Sequence, residues 1–257
     1  YTVSYTNNTS VSAEDSKAKV TITAANGNYT GSACVDFSIA YAQETYLNYC
    51  TVSGIEGKDG WYSSDVTIQN KADINSLWGA LQFSGSPTGA FADSYIVSTE
   101  GKNNTTIWFK QTTTEYIGSQ DKEIKIDKTA PTWPENGGIS VKENWWKKLV
   151  NTISFGLFYK DATVEVKVCA KDNLSGIDAY YYYVDNSGNA SVKTKKELDA
   201  LVSQFTKYPV DSSASPLTGT KTLTSLSNEG NYVVYAYAVD MAGNRSDYVC
   251  SDGVVLD

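Results

Sequence analysis

No histidine occurs among the 257 residues, methionine occurs once, and arginine is scarce. Without an imidazole the chain has no serine-protease-type triad, no papain-type dyad and none of the common catalytic zinc sites. Chemistry carried by carboxylates alone stays open. Long hydrophobic runs are missing too. The longest apolar stretches, such as "ISFGLFY" at 153–159, have strand length, well short of the roughly 20 residues that a spanning helix needs. No N-terminal segment shows the charged, apolar, small-residue order of a signal peptide, so export would imply a mature or excised chain. Basic residues are outnumbered, 21 against 29 acidic ones, for a net charge of -8. That balance opposes nucleic-acid binding, where affinity comes largely from Lys and Arg neutralising phosphates.

What the chain has in abundance is Thr, Ser, Asn, Tyr and Val, the usage of a strand-rich protein. Its length exceeds one ordinary sandwich of about 100 residues and suits two or three such units. An internal repeat shows where units end. "EIKIDKTAPT" at 123–132 aligns with "GVVLD" at 253–257, pairing Ile124 with Val254, Ile126 with Leu256 and Asp127 with Asp257. A glutamate-glycine step precedes each last hairpin, at Glu100-Gly101 and Glu229-Gly230. The second copy stops where "KTAPT" would begin, so further modules are expected beyond it. Pro131 and Pro134 fix φ and lack N–H groups, which makes "TAPTWP" an extended, stiff connection.

These marks divide the chain into a partial β-unit at 1–43, a sandwich at 44–128 and a second sandwich at 129–257. In the first, "YTVSYTNN", "AKVTITA" and "NGNYTGSACVDFSI" predict three strands, in which Val20, Ile22 and Ala24 share one face, as do Val35, Phe37 and Ile39. Three strands make a marginal core. In the last, "ISFGLFYK", "TVEVKVCA", "AYYYYVD" and "NYVVYAYAVD" read as strands, and "NWWKKLVN" as one short helical turn. Tyr232, Val234, Ala236 and Ala238 share a face, with Tyr232 placed as a corner tyrosine whose hydroxyl bonds back to the backbone. Helical period appears once, at 194–207, where Leu198, Leu201, Val202 and Phe205 follow at i, i+3, i+4 and i+7 and Thr194 is the N-cap. One apolar stripe of that period ordinarily caps an edge or end of the sandwich. The fold class expected is all-β: tandem immunoglobulin-like β-sandwich modules with a small inserted amphipathic helix in the last module.

Three stretches resemble modules of Gram-positive, Firmicutes-type, cell-surface proteins. "YTVSYTNNTS…KVTITAANGNYTGSACVDFSI" looks like the C-terminal part of a short surface β-repeat ending in N-Y-T-G and F-x-I. "GIEGKDGWYSSDVTI…STEGKNNTTIWF…KIDKTAPT" and "NWWKKLVNTISFGLFYKDATVEVKVCAKDNLSG…EGNYVVYAYAVDMAGNRSD" are similar to bacterial Ig-like domains that follow T-A-P linkers. The resemblance implies an extracellular, cell-wall-attached segment that is no enzyme and acts as stalk, spacer or adhesive arm, with host or cell-surface glycan or protein as its partner and further modules of the same chain beside it. The alternative is an accessory carbohydrate-binding segment of a secreted multidomain glycoside hydrolase.

Candidate sites follow from residue type. Alternation turns Tyr180, Tyr182 and Val184 inward and leaves Tyr181 and Tyr183 outward beside Tyr235 and Tyr237. Four exposed rings can stack on sugar faces or on a protein partner; the opposing reading is cross-strand pairing, or cover by a neighbouring element. Trp61, Trp78, Trp108, Trp133, Trp145 and Trp146 are placed in cores or module interfaces. Cys34, Cys50, Cys169 and Cys250 permit three pairings. Cys169–Cys250 lies within one module, but strand parity opposes it, since Cys169 points out if Val164, Val166 and Val168 point in, whereas Cys250 points in if Val254 and Leu256 do, unless a bulge shifts the register. Cys34–Cys50 falls at a module junction. Asp127, Asp172, Asp178, Asp185, Asp240 and Asp257 gather near module ends, yet the chain has no D-x-D-x-D-G calcium loop. No metal site and no cofactor are assigned on that pattern. Nothing in the order of residues nominates the two carboxylates, about 5–9.5 Å apart, that a glycosidase needs.

Overall fold

A computed structural model describes residues 1–7, 17–25, 27–37, 46–71, 80–112, 117–134, 139–141, 157–159, 164–188, 192–210, 221–251 and 253–256. The chain forms two units. One comprises Tyr1–Thr51, Gln69–Tyr95 and Thr106–Asp121; the other comprises Val52–Ile68, Ile96–Thr105 and Lys122–Asp257.

The first unit contains the three expected N-terminal strands, Thr2–Thr6, Ala18–Thr23 and Ser32–Phe37, as one antiparallel sheet. Its register sets Val3 opposite Ile22, Tyr5 opposite Val20, and Val20 opposite Val35, so the apolar residues share one face. That face stays open among the described residues, with Tyr5 57% and Val35 62% exposed. Elsewhere in the unit, Leu81–Ser84 pairs antiparallel with the end of Gly101–Gln111, setting Phe83 opposite Phe109. Tyr46 stacks on Phe109 at 5.2 Å between centroids, and Phe83 meets the same ring edge-on at 5.6 Å. These aromatic contacts, with Leu81 and Ile107, make the unit's core.

The second unit contains a two-sheet sandwich. One sheet runs Ile139–Val141, Val164–Val168, Lys221–Leu226. The other runs Leu157–Tyr159, Val254–Leu256, Gly230–Asp240, Ile177–Asp185, Thr206–Pro209, with Val249–Cys250 paired on Gly230–Asp240. The alternation of "TVEVKV" buries Val164, Val166 and Val168, and that of "NYVVYAYAVD" turns Tyr232, Val234, Ala236 and Ala238 against them. Tyr232 is the corner tyrosine: its hydroxyl donates to the Asn228 carbonyl at 3.0 Å. Tyr180 turns inward as its parity requires, and its hydroxyl accepts from the Ala170 N–H at 3.0 Å.

The two copies of the repeat share a structural role. Lys125 and Ile126 pair parallel with Trp61 and Tyr62, and Val254–Leu256 pairs parallel with Leu157–Tyr159. In both, the aligned apolar residues are buried: Ile124 and Ile126 in one, Val254 and Leu256 in the other. After the first copy the T-A-P segment lies against the sandwich, where Thr132 and Lys171 exchange two 2.8 Å backbone bonds. Trp133 stacks near Tyr180 and donates its indole N–H to the Asp247 carbonyl at 2.8 Å.

The predicted helix forms over Lys195–Ala200, shorter than the 194–207 stretch, and continues as a 3-10 turn at Val202–Gln204. Thr194 caps it: its hydroxyl oxygen accepts from the Glu197 N–H, while the Glu197 carboxylate accepts from the Thr194 N–H at 2.7 Å. Leu198 and Phe205 are buried, whereas Val202 is 38% exposed because the change of helix type rotates it off the stripe. The "NWWKKLVN" turn lies outside the described residues.

Candidate functional site

The four tyrosines singled out in the sequence do come together. Tyr181 is opposite Tyr237, and Tyr183 opposite Tyr235, across antiparallel strands. They do not form a solvent-facing platform; the opposing reading, cross-strand pairing with cover by a neighbouring element, holds. Tyr235 is 1% and Tyr237 6% exposed, because Leu198 and Phe205 lie over this face of the sheet. The Tyr181 and Tyr237 rings stack in parallel at 4.9 Å, and Phe205 packs on Tyr237 at 5.3 Å and on Tyr183 at 5.7 Å. Arg245 places its guanidinium 3.8 Å from the Tyr237 centroid and 4.5 Å from that of Tyr248. The Tyr235 hydroxyl accepts from the Lys193 N–H at 2.9 Å. Burial pushes the Tyr235 and Tyr237 hydroxyls to titrate above their ordinary range. Leu198 and Phe205 thus form a second apolar cluster with Val233, Tyr235 and Tyr237 on this face of the sheet.

Beside this wall is a pocket of about 250 Å³ bordered by Val192, Lys193, Leu198, Tyr235, Tyr248 and Cys250. It has two lysines: Lys193 Nζ lies 2.7 Å from Asp185 Oδ2, and Lys195 Nζ lies 3.6 Å from Asp247 Oδ1.

All four cysteines are free of disulfides. Cys50 is buried, its thiol donates to the Tyr46 carbonyl at 3.3 Å, and burial raises its pKa to about 11. Cys250 is exposed although Val254 and Leu256 point inward. The strand stops after Cys250 and resumes at Val254, and that interruption resets the alternation which parity assumed. Of the tryptophans, Trp61 is buried against Met241 and Ala242, and Trp108 is half-buried. Trp78, Trp145 and Trp146 lie outside the described residues.

The acidic group divides in two. Asp178 and Asp185 are buried but have cations: Lys58 and Lys207 for Asp178, Lys193 for Asp185. For Asp185, burial works to raise the pKa, and the Lys193 and Ser187 hydrogen bonds together outweigh it, holding the group below its ordinary value. Asp127, Asp172 and Asp240 are more deeply buried, at 0%, 3% and 1% exposure. One carboxylate oxygen from each lies within 4.8 Å of the other two. Among the described residues no lysine or arginine forms an ion pair with any of them. Asp257 lies outside the described residues.

Local chain geometry positions these three. Asp127 follows the buried Ile126 at the end of a strand, and its two oxygens accept from the Thr129 N–H at 3.0 Å and the Ser175 N–H at 2.9 Å. Asp172 opens the "DNLSG" turn, where its Oδ1 accepts from Leu174 and Gly176. Asp240 opens "DMAGN" and accepts from the Asn244 N–H and side-chain amide, both at 2.8 Å. Asn244 also donates to the Asp127 carbonyl at 2.8 Å. Burial, and then the neighbouring carboxylates, raise the Asp240 pKa to about 6, and burial likewise raises that of Asp172. An all-oxygen set of this kind suits a hard cation and not zinc. Sequence reading grouped these three with Asp178 and Asp185; only the lysine partners separate them.

No family model matches the chain, and no curated protein matches it. Among solved structures it is similar to fibronectin(III)-like modules of CbhA from Clostridium thermocellum, at 11% identity and a TM-score of 0.34, covering 80% of this chain and 92% of that one. A likeness that low carries no argument, and the sandwich rests on its own sheets.

Proposed function

We propose that this chain is a non-catalytic stretch of modules from a bacterial surface protein, working as a stalk or spacer. The observation that carries the reading is the internal use of the tyrosine wall. The side chains best suited to gripping a glycan are stacked on one another and covered by Leu198 and Phe205. A second support is the repeated closing strand, paired parallel in both copies and followed in the first by a linker that lies on the sandwich. Such a design favours end-to-end stacking of stiff units over recognition at this face. Among the described residues no helix is long and apolar enough to cross a membrane. An extracellular, cell-wall-attached location belongs to the same proposal.

The test is a glycan array probed with the 257-residue chain, together with antibody labelling of intact source cells. A stalk or spacer gives surface labelling and no glycan hits. Saturable glycan binding abolished by Tyr181→Ala would replace this reading with an adhesive one, and label confined to the cytosol would end it.

A further inference from the structure

Three carboxylates meeting inside a fold need a compensating positive charge or a proton. At 4 Å, like charges repel by about 4 kcal/mol at an effective dielectric of 20, and burial adds the loss of water. Among the described buried aspartates the compensation is supplied everywhere except here. Asp178 and Asp185 each meet lysine, while Asp127, Asp172 and Asp240 meet none among the described residues.

Hydrogen bonds leave a second mark. Five of the six oxygens accept N–H donors, but Asp172 Oδ2 accepts none from the described residues. Asp172 is only 3% exposed, so among the described residues this oxygen is a buried acceptor with no hydrogen bond of ordinary geometry, on a carboxylate that belongs to the cluster. Buried acceptors of that kind are rare and call for an ion or a water. The spacing suits an ion. Two oxygens on one Ca²⁺, each about 2.3–2.6 Å away, stand up to about 5 Å apart, and these three lie within 4.8 Å.

We propose that Asp127, Asp172 and Asp240 bind one divalent cation of the calcium class. The ion ties three chain segments of one unit together: the end of the Ile117–Ile126 strand where the T-A-P linker begins, the "DNLSG" turn, and the "DMAGN" turn after Gly230–Asp240. Its role is to hold the linker root against the sandwich. Without it, the cluster must keep a proton, and the turns lose the charge that draws them together. The inference stands whether or not the stalk reading does, because it concerns the integrity of one unit and not its partner.

The experiment uses the whole chain, stripped with EDTA, and follows thermal unfolding with and without 1 mM Ca²⁺ at pH 7. The expected result is a rise in melting temperature on the order of 5–10 °C, lost in both Asp172→Asn and Asp240→Asn. Asn at 172 keeps the Oδ1 acceptor that the turn uses, so the turn itself should survive. No rise in the wild type overturns the assignment, and so does an equal rise in the variants, which would place the ion elsewhere on the acidic surface. Should both variants fail to fold, Tb³⁺ luminescence of the wild type decides. Trp61 packs on Met241 and Ala242, next to Asp240, and sensitises a bound ion. One saturable Tb³⁺ displaced by Ca²⁺ upholds the site, and no saturable emission removes it.

Discussion

The tyrosine wall and the aspartate cluster reverse each other's promise. Four tyrosines on neighbouring strands looked like a ligand platform, yet every ring is engaged by Phe205, Leu198, Arg245 or another tyrosine. Three aspartates spread over more than a hundred residues carried no calcium-loop pattern, yet they converge in the interior with no basic partner among the described residues. The lesson concerns satisfaction. A side chain advertises binding through what its neighbours leave unmet, and residue type alone does not report that.

The contrast can be broken most forcefully at Phe205. Phe205→Ala removes the ring that touches Tyr183, Tyr237 and Tyr248, and should cost about 3–5 kcal/mol in a urea titration. It should also raise acrylamide quenching of tyrosine fluorescence, since the wall loses its cover. Unchanged stability would mean that the helix only rests on the sheet.

The aspartate side is sharpened by pH. In the metal-free protein burial pushes the Asp240 pKa up from its ordinary 3.8 to about 6. Between those values the folded state holds a proton that the unfolded state has released, so stability falls as pH rises through that window. The contribution, on the order of 1–3 kcal/mol, is present below pH 3.8 and lost above pH 6. Other carboxylates titrate in the same range, so the measurement is the difference between wild type and Asp172→Asn in EDTA. The variant, relieved of one repelling charge, should gain relative stability as pH rises from 4 to about 7. Parallel profiles would show that the three carboxylates do not interact.

A smaller effect belongs to the sandwich corner. Tyr232→Phe deletes the hydroxyl that donates to Asn228 and should cost about 1 kcal/mol by chemical denaturation. Smallest of all in stability, but sharp in kinetics, is thiol labelling. Non-reduced, denatured protein should titrate four thiols. In the native protein Cys34 and Cys250 should react quickly and Cys50 slowest, being buried with its pKa raised to about 11.

Much of the fold was legible because its signals are local. Alternation in "TVEVKV" and "NYVVYAYAVD" assigned the buried faces correctly, and the Thr194 capping box lies within four residues. Tyr232 bonds only four residues back. Where local signals failed, a longer-range event intervened. The alternation that placed Cys250 inward was reset by an interruption of the strand, and the stripe that included Val202 was cut by a change to 3-10 geometry.

By itself the sequence determined which residues alternate, where the helix starts and which tyrosine turns the corner, because those depend on periods of two to four residues. Only the tertiary structure decided what lies against each outward face and which buried aspartates receive a lysine. Asp127 meets Ser175 across 48 positions and Asn244 across 117. Period says which way a side chain points; it says nothing about the partner that the rest of the chain brings to it.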